Sequence, residues 1–321
     1  MISVTGRSID VCPRAADELI ELSACVLLDI IDMKIIRGKK VVITGAASGI
    51  GRALALALAR EGAALYLVDV DAHNLQATAD EARGCGADVL VHKCDLVEPE
   101  EIDVLVKSLL DVWKTFDILI NNAGANYYGP THNMTSEQWR RIVSINLLAP
   151  IRLVHALLPV LAAREQAHIL NTCSIFGLTP ARKLAAYQTT KFGLVGFSLA
   201  LRCEYARGGI GVTALCPGFV DTPMLEKLEK GRPDKRLPLP PAWLITTPEH
   251  VARCAVAAIR RNRGLVVVSP LARVMWWVMR LFPGVIAWIA AEGWRGHRRI
   301  DIAADLAARE AASQNKGSRA H

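Results

Sequence analysis

The chain has few aromatic residues, 6% of 321, and no run that stays apolar and uncharged over the length of a membrane-spanning helix, about 18 residues. It does not begin with a basic start followed by a clean apolar stretch, so a secretory leader is not expected. Its eight cysteines, at 12, 25, 85, 94, 173, 203, 216 and 254, form no C-x-x-C pair and do not sit near histidine at zinc-ligand spacing. The eight histidines are equally dispersed, so no metal site is expected. Scattered cysteines in a chain of this length read as reduced core residues, and the expected location is cytoplasmic. There is no internal repeat and no low-complexity linker. With 52% hydrophobic and 21% charged residues the chain is neither disordered nor collagen-like, and it is long enough to bury a sizeable core.

What the chain does have is concentrated. Four of its seven tryptophans, Trp276, Trp277, Trp288 and Trp294, fall in one short stretch. Between Arg260 and Ile300 eight arginines (260, 261, 263, 273, 280, 295, 298 and 299) face a single acid, Glu292, which accounts for the whole net charge of +7. A neutral body with one basic, Trp-rich, apolar segment does not read as a nucleic-acid binder, and no recognised module of that kind is present. The plain alternative is ordinary surface arginine on the last helices.

From Lys39 onward, short Val/Ile/Leu-rich runs alternate with helical patterns. The runs are 39–44, 64–70, 88–95, 117–124, 168–174, 211–218 and 265–269, apolar on consecutive rather than alternate positions. That is the mark of strands buried on both faces, hence of a parallel sheet covered by helices. Stretches such as 51–62 and 136–164 carry helical spacing. Seven strands with helices between them predict a single doubly wound α/β domain of Rossmann type, residues 33–269. Residues 1–32 precede it, as a helix over about Arg14–Ile31 or as the product of an upstream start; both remain open. Residues 270–312 form an apolar, basic helical extension, and 313–321 a disordered tail.

The run Thr44-Gly45-Ala46-Ala47-Ser48-Gly49-Ile50-Gly51 follows a predicted strand and opens a helix. Glycines at 45, 49 and 51 permit a tight turn and let backbone N–H groups approach a phosphate at the helix N-terminus. The next strand ends in Asp69, placed to accept hydrogen bonds from an adenosine ribose and to repel a 2′-phosphate. Neither Ser48 nor Val70 offers that phosphate a positive charge. The expected cofactor is NAD, with NADP second; Asp69 could otherwise be a turn residue capping the following helix.

The T-G-x-x-x-G-x-G loop, the downstream Asn121-Asn122-Ala123-Gly124 and Tyr187-x-x-x-Lys191 together resemble the short-chain dehydrogenase/reductase family from about Lys39 to Ser269. The resemblance implies a catalytic set of Asn146, Ser174, Tyr187 and Lys191. It also implies that Pro217, Gly218, Val220 and Thr222 hold the nicotinamide carboxamide, that Asp95 and Leu96 bracket the adenine, and that Asn122, Ala123 and Gly124 line the cofactor floor. It further implies a homodimer or homotetramer through the helices around Asn146 and Tyr187.

Oxidising an alcohol removes a proton from oxygen while hydride leaves carbon. An isolated tyrosine, with a pKa of about 10, is a poor base near neutrality. Lys191 lies one helical turn from Tyr187, so its charge, with the positive nicotinamide of NAD⁺, is expected to favour the phenolate and to lower the Tyr187 pKa. In the family's arrangement Lys191 also holds the nicotinamide ribose, Ser174 hydrogen-bonds the substrate oxygen, and the Asn146 backbone holds a water that leads protons out.

The segment 224–244, with prolines at 233, 238, 240 and 241, reads as a long mobile lid whose Leu237, Leu239, Trp243 and Leu244 are apolar. Tyr127, Tyr128, Phe176 and Leu178 fall near the site through their neighbours. These suggest a small lipophilic substrate, such as a long-chain alcohol, a retinoid or a sterol, although plain lid and core packing would give the same pattern. In 270–299 Arg273 and Arg280 share a helix face, Pro283-Gly284 breaks the helix, and a second apolar run follows. That pattern fits attachment to a membrane surface, peripheral to its cytoplasmic face, better than a span. A cap over the active site or a subunit contact competes with it. Two other functions remain: an NADPH-dependent carbonyl reductase of a 3-oxoacyl or ketosphingoid lipid, in which Arg52 would have to reach the 2′-phosphate, and an inactive cofactor-sensing scaffold at a membrane.

Overall fold

Each of the seven apolar runs becomes a strand. They are β1 (Lys40–Thr44), β2 (Ala64–Asp69), β3 (Val89–Lys93), β4 (Ile118–Asn121), β5 (Ala167–Thr172), β6 (Ile210–Cys216) and β7 (Leu265–Val267). All pair in parallel, in the order β3-β2-β1-β4-β5-β6-β7. The computed structural model describes residues 33, 35–226, 229, 230, 241, 244–282 and 284. The proposed helix over 14–31, the Pro/Leu-rich centre of the lid with Leu237, Leu239 and Trp243, the run beyond Gly284 and the tail 313–321 lie outside the described residues.

Among the described residues the helices of eight residues or more are α1 (Gly49–Arg60), α2 (Ala72–Gly84), α3 (Pro99–Val112), α4 (Ser136–Val143), α5 (Ala149–Ala162), α6 (Ala185–Tyr205), α7 (Pro248–Arg260) and α8 (Pro270–Leu281), and a single turn of helix spans Pro223–Glu226. Because strand side chains alternate in direction, each apolar run serves two cores at once. Val41 and Ile43 of β1 pack with Leu54 and Leu58 of α1, Leu75 of α2 and Ile259 of α7. Val42 between them packs on the other face with Leu105 of α3, Leu153 and Leu157 of α5 and Leu201 of α6. This is why the central runs carry consecutive apolar residues, whereas the edge strand β3 alternates, with Val91 exposed.

Local chemistry sets the helix ends. Asp71 caps α2 by accepting from the Asn74 N–H, and Thr135 and Gln138 form a reciprocal capping box on α4. Gly62, at φ +81°, turns the chain out of α1. The stretch expected to be one helix over 136–164 is interrupted: Ser144–Leu148 form a π-turn between α4 and α5. Pro150 has no N–H to give to the Asn146 carbonyl four residues before it, so the regular helical ladder fails at that point. The 27 residues Ser136–Ala162 include an 18-residue window of mean hydropathy 1.7, long and apolar enough to cross a membrane by length and composition. They are nonetheless part of the core, with Asn146, Leu153, Val154, Leu157 and Leu161 buried.

A second short sheet, Tyr127–Tyr128 against Glu229–Lys230, was not legible in the sequence, because two-residue strands carry no periodicity. Tyr127, expected near the substrate, is buried with Met134, Ile142 and Ala186, and so belongs to packing.

Buried polar groups tie β5 to β6. His168 Nε2 lies 2.8 Å from Thr213 Oγ1, whose own hydroxyl donates to the Arg263 carbonyl at 2.6 Å, so the imidazole must be the donor. Burial, helped by the nearby Arg202 charge, pushes the His168 pKa down to about 3. The folded protein therefore holds this histidine neutral, whereas an unfolded one titrates near 6.5. Its contribution to stability is complete above about pH 6.5 and is lost as pH falls toward 3. Thermal melts between pH 6.5 and 4 should show Tm falling with acidity, and falling less steeply in His168→Asn. Equal slopes would remove His168 from the acid response.

Candidate active site

The strand order reverses between β1 and β4, and their C-terminal ends open a crevice of the kind that binds ligands in doubly wound sheets. Backbone and side-chain bonds brace this crevice. Thr44, the last residue of β1, accepts at Oγ1 from the backbone N–H groups of Asn122 (3.0 Å) and Ala123 (3.1 Å) just beyond β4. The Asn122 amide donates back to the carbonyls of Thr44 (3.2 Å) and Gly45 (3.1 Å), and its oxygen accepts from Thr172 Oγ1 at 3.3 Å. The cofactor-floor residues Asn122 and Ala123 thus hold the Gly-rich loop in place.

That loop has no room for side chains. Gly45 stands at φ +66°, and a Cβ there would lie 2.7 Å from the Ala123 Cα; a Cβ on Gly51 would run into the Gly45 carbonyl oxygen. A Cβ on Gly49 would lie 3.1 Å from Thr222 Cγ2, which places Thr222 against the start of α1. The loop therefore delivers the α1 N-terminus to the crevice. Ser48 at its cap makes no side-chain capping bond, and the first turn contains no acid. Backbone donors at a positive helix end, with no carboxylate to oppose an anion, fit a dinucleotide pyrophosphate.

Asp69, at the end of β2, has two backbone partners: Ala47 N–H at 2.9 Å, inside the loop, and Asp71 N–H at 3.0 Å. The capping of α2 falls to Asp71, so the alternative reading of Asp69 as that cap does not hold. Asp95 is a turn brace, its carboxylate accepting from the Val97 N–H at 3.0 Å, and Leu96 is buried in the core beside it. Ile50 packs partly against the α1-side core. Val220 is buried and bridges to Thr246, a structural position. The Pro217 carbonyl accepts from the Ile175 N–H at 2.9 Å, which ties the Pro217-Gly218 turn to the segment carrying Ser174.

The catalytic candidates come together at the ends of β5 and α6. Ser174, Tyr187 and Lys191 are 5%, 8% and 3% exposed, so the chemistry is walled off from bulk water. Lys191 Nζ donates to the Thr172 carbonyl at 2.7 Å and lies 5.7 Å from the Tyr187 ring centroid. Because Thr172 also bonds Asn122, the lysine and the Gly-rich loop share one brace. Ser174 accepts from the Phe176 N–H at 3.2 Å and is hydrogen-bonded to the Tyr187 phenol. Asn146 is fully buried in the π-turn. Its amide donates to the Ala125 carbonyl (2.9 Å) and to Thr190 Oγ1 (3.1 Å), and accepts from the Ala125 N–H (2.8 Å). Its side chain is thus a positioning group for the loop after β4, and the water-holding role implied by the resemblance falls to its main chain. Gly124 is close beside it: a Cβ there would lie 3.2 Å from Asn146 Oδ1, a tight approach, and 3.7 Å from Lys191 Nζ, an ordinary contact.

Without the nicotinamide charge, burial governs both members of the Tyr187/Lys191 pair. Burial pushes the Tyr187 phenol up, to about 12; the Ser174 hydrogen bond opposes the shift without overcoming it. Burial also pushes Lys191 down. Loss of water disfavours a buried phenolate and a buried ammonium alike. Beneath these groups the thiols of Cys173 and Cys216 are hydrogen-bonded to each other; that bond and burial raise Cys216 well above the ordinary thiol range, so it stays neutral.

Sequence reasoning missed Thr44 and Thr172 as braces, Thr190 as the partner of Asn146, and Phe219 and Met224 as wall residues. Phe219 meets Phe176 edge to face at 5.6 Å, and Met224 Cε would lie 3.8 Å from a Cβ on Gly124. Only Thr172 had a signal: it precedes Ser174 by two residues on the same strand face.

The fold agrees with known proteins. Residues 39–233 match the short chain dehydrogenase family, and the chain belongs to it. The cyclohexanol dehydrogenase of Acinetobacter sp. is 32% identical over 216 residues, 67% of this chain and 85% of that protein. The D-beta-hydroxybutyrate dehydrogenase of Rhizobium meliloti is 34% identical over 191 residues, 59% of this chain and 74% of that protein. A short-chain dehydrogenase/reductase from Burkholderia phymatum, solved with NAD, superposes with a TM-score of 0.70 at 26% identity, covering 79% of this chain and 96% of that one. A short-chain dehydrogenase from Sphingobium yanoikuyae, solved with NADPH, gives 0.65 at 27% identity, covering 82% and 98%. The family is one of oxidoreductases, and its members bind nicotinamide dinucleotides.

Spectrophotometric titration of tyrosinate in the cofactor-free protein tests the phenol. Wild type and Tyr187→Phe should give superimposable curves up to about pH 10, where exposed tyrosines ionise. A wild-type step below pH 9 that is missing from the variant would contradict the burial argument.

Proposed function

We propose that this chain is an NAD-dependent dehydrogenase that moves a hydride between nicotinamide and the hydroxyl or carbonyl carbon of an apolar substrate. The observation that carries the NAD preference is Asp69. Its carboxylate is fixed at the end of β2 by two backbone donors, beside the Gly-rich loop. Arg52, the nearest candidate for a 2′-phosphate, is engaged elsewhere, its Nη2 2.6 Å from Glu81 Oε1. Val70, next to Asp69, is exposed and uncharged.

When bound, the nicotinamide ring supplies the hydride or accepts it. The protein's part is proton handling and placement. The Tyr187 phenol exchanges a proton with the substrate oxygen, Ser174 donates a hydrogen bond to that oxygen, and Lys191, fixed by Thr172, holds the ribose hydroxyls. The raised phenol pKa suits the reductive direction near neutrality, where Tyr187 is a ready acid, and makes oxidation faster as pH rises. The wall formed by Phe176, Leu178, Phe219 and Met224 supports an apolar substrate, and the relatives that act on cyclohexanol and hydroxybutyrate point to a secondary alcohol. Exposed Phe192 and Leu199, seven apart on α6, with Leu148 beside α5, support a homodimer through these helices.

Fluorescence titration should show NADH binding at least about tenfold tighter than NADPH, with the preference lost in Asp69→Ala; tighter NADPH binding in wild type would overturn the assignment. With cyclohexanol as probe, Tyr187→Phe should lower kcat by about a hundredfold or more while NADH affinity stays within error. Retention of activity in that variant would remove Tyr187 from the chemistry.

A further inference from the structure

Helix α8 turns a strip of large apolar side chains toward solvent. Ser269 caps it, accepting from the Ala272 N–H at 3.2 Å, and Arg273 Nε anchors it by donating to the Val267 carbonyl at 3.0 Å. Its inward face is small: Ala272 is buried, and Trp276 is partly buried against the cluster that contains Ile175, Phe176 and Leu178. The outward face carries Leu271, Val274, Trp277 and Leu281, continued by Phe282, with exposures of 37%, 59%, 49%, 61% and 60%. At 100° per residue the four helical positions fall within about one third of the circumference. Arg273 and Arg280, seven apart, form a line along one border of the strip, and the Arg280 guanidinium sits 5.8 Å from the Trp276 ring centroid. A soluble protein gains nothing by showing water such a strip, and a contiguous one marks a docking surface.

We propose that this face docks on the surface of an anionic phospholipid bilayer, with Val274, Trp277 and Leu281 entering the acyl boundary and the arginines meeting the headgroups. The charge distribution selects this occupant. Exposed Arg261 and Arg263 lie just before β7, exposed Arg273 and Arg280 lie on α8, and the sequence has no acid from Arg260 to Ala291. A second copy related by a two-fold axis would bring this one-signed surface against itself, like charge opposing like. A lipid surface accepts both features: arginine stems lie along apolar surface while their heads reach phosphate.

The strip adjoins the substrate side of the site. A Cβ on Gly218 would lie 2.6 Å from Ser269 Oγ, so the first turn of α8 rests on the Pro217-Gly218 turn, and Trp276 packs against the same buried cluster as Phe176 and Leu178. Docking would set the mouth of the site against the membrane, from which an apolar alcohol or ketone would be drawn. This consequence for the substrate rests on the function proposed above; the docking itself does not.

Co-sedimentation of the full chain with vesicles tests it without turnover. Vesicles of phosphatidylcholine with about a third phosphatidylglycerol should retain the protein at least about tenfold better than phosphatidylcholine alone, and about 0.5 M salt should weaken that retention. Trp277→Ser with Leu281→Ser should abolish it while leaving Tm and NADH affinity at wild-type values. If that double variant does not fold, Arg280→Gln should reduce retention on anionic vesicles only. Wild type that stays in the supernatant overturns the proposal. So does equal retention of the variants, which would put attachment elsewhere in the chain, or a wild-type oligomer that the double variant dissolves, which would make α8 a contact between copies. Vesicle binding without dehydrogenase activity would leave docking standing and defeat the function instead.

Discussion

The structure depends on one close approach, the packing of the loop after β1 onto the chain leaving β4. At Gly45 and Gly51 backbone meets backbone with no space for a methyl group, and Thr44 and Asn122 lock the approach by hydrogen bonds in both directions. These bonds form where the strand order reverses, the point at which a parallel sheet leaves its C-terminal ends uncovered. The crevice, the exposed α1 N-terminus and the position of Asp69 all follow from that contact.

The same brace reaches the catalytic groups. Asn122 bonds Thr172, and the Thr172 carbonyl accepts from Lys191. On the other side Asn146 and Ala125 exchange two hydrogen bonds, and the Asn146 amide reaches Thr190, whose hydroxyl donates to the Tyr187 carbonyl at 2.8 Å. The Gly-rich loop and Lys191 are thus parts of one polar network, and the loop after β4 and the backbone of Tyr187 parts of another, both inside an apolar shell. Such networks are costly unless every member is satisfied, which makes the geometry stiff. A rigid arrangement is what hydride transfer requires, since donor and acceptor carbons must meet at a fixed distance.

Much of this was legible beforehand. Buried strands announce themselves by consecutive apolar residues, and each of the seven runs contains a strand, with ends shifted by up to three residues. The glycine spacing and the Tyr187/Lys191 spacing were legible because helix geometry and steric exclusion act over a few residues. The π-turn at Ser144–Leu148 was not, since a helical pattern of side chains runs straight through it. Nor was the fate of Tyr127, whose neighbours in sequence lie at the site while its ring lies in the core.

The sequence by itself determined the sheet, the order of its elements, and which side chains could carry proton transfer, because burial pattern, glycine sterics and residue chemistry are local properties. Only the tertiary structure decided how those groups behave. It turned Asn146 into a pin for a loop, gave Asp69 two backbone partners, and set the burial that raises the Tyr187 phenol in the protein by itself. Each of these depends on which segments, distant along the chain, exclude water from the same few cubic ångströms. Desolvation is a property of the assembled shell, and no spacing within one segment encodes it.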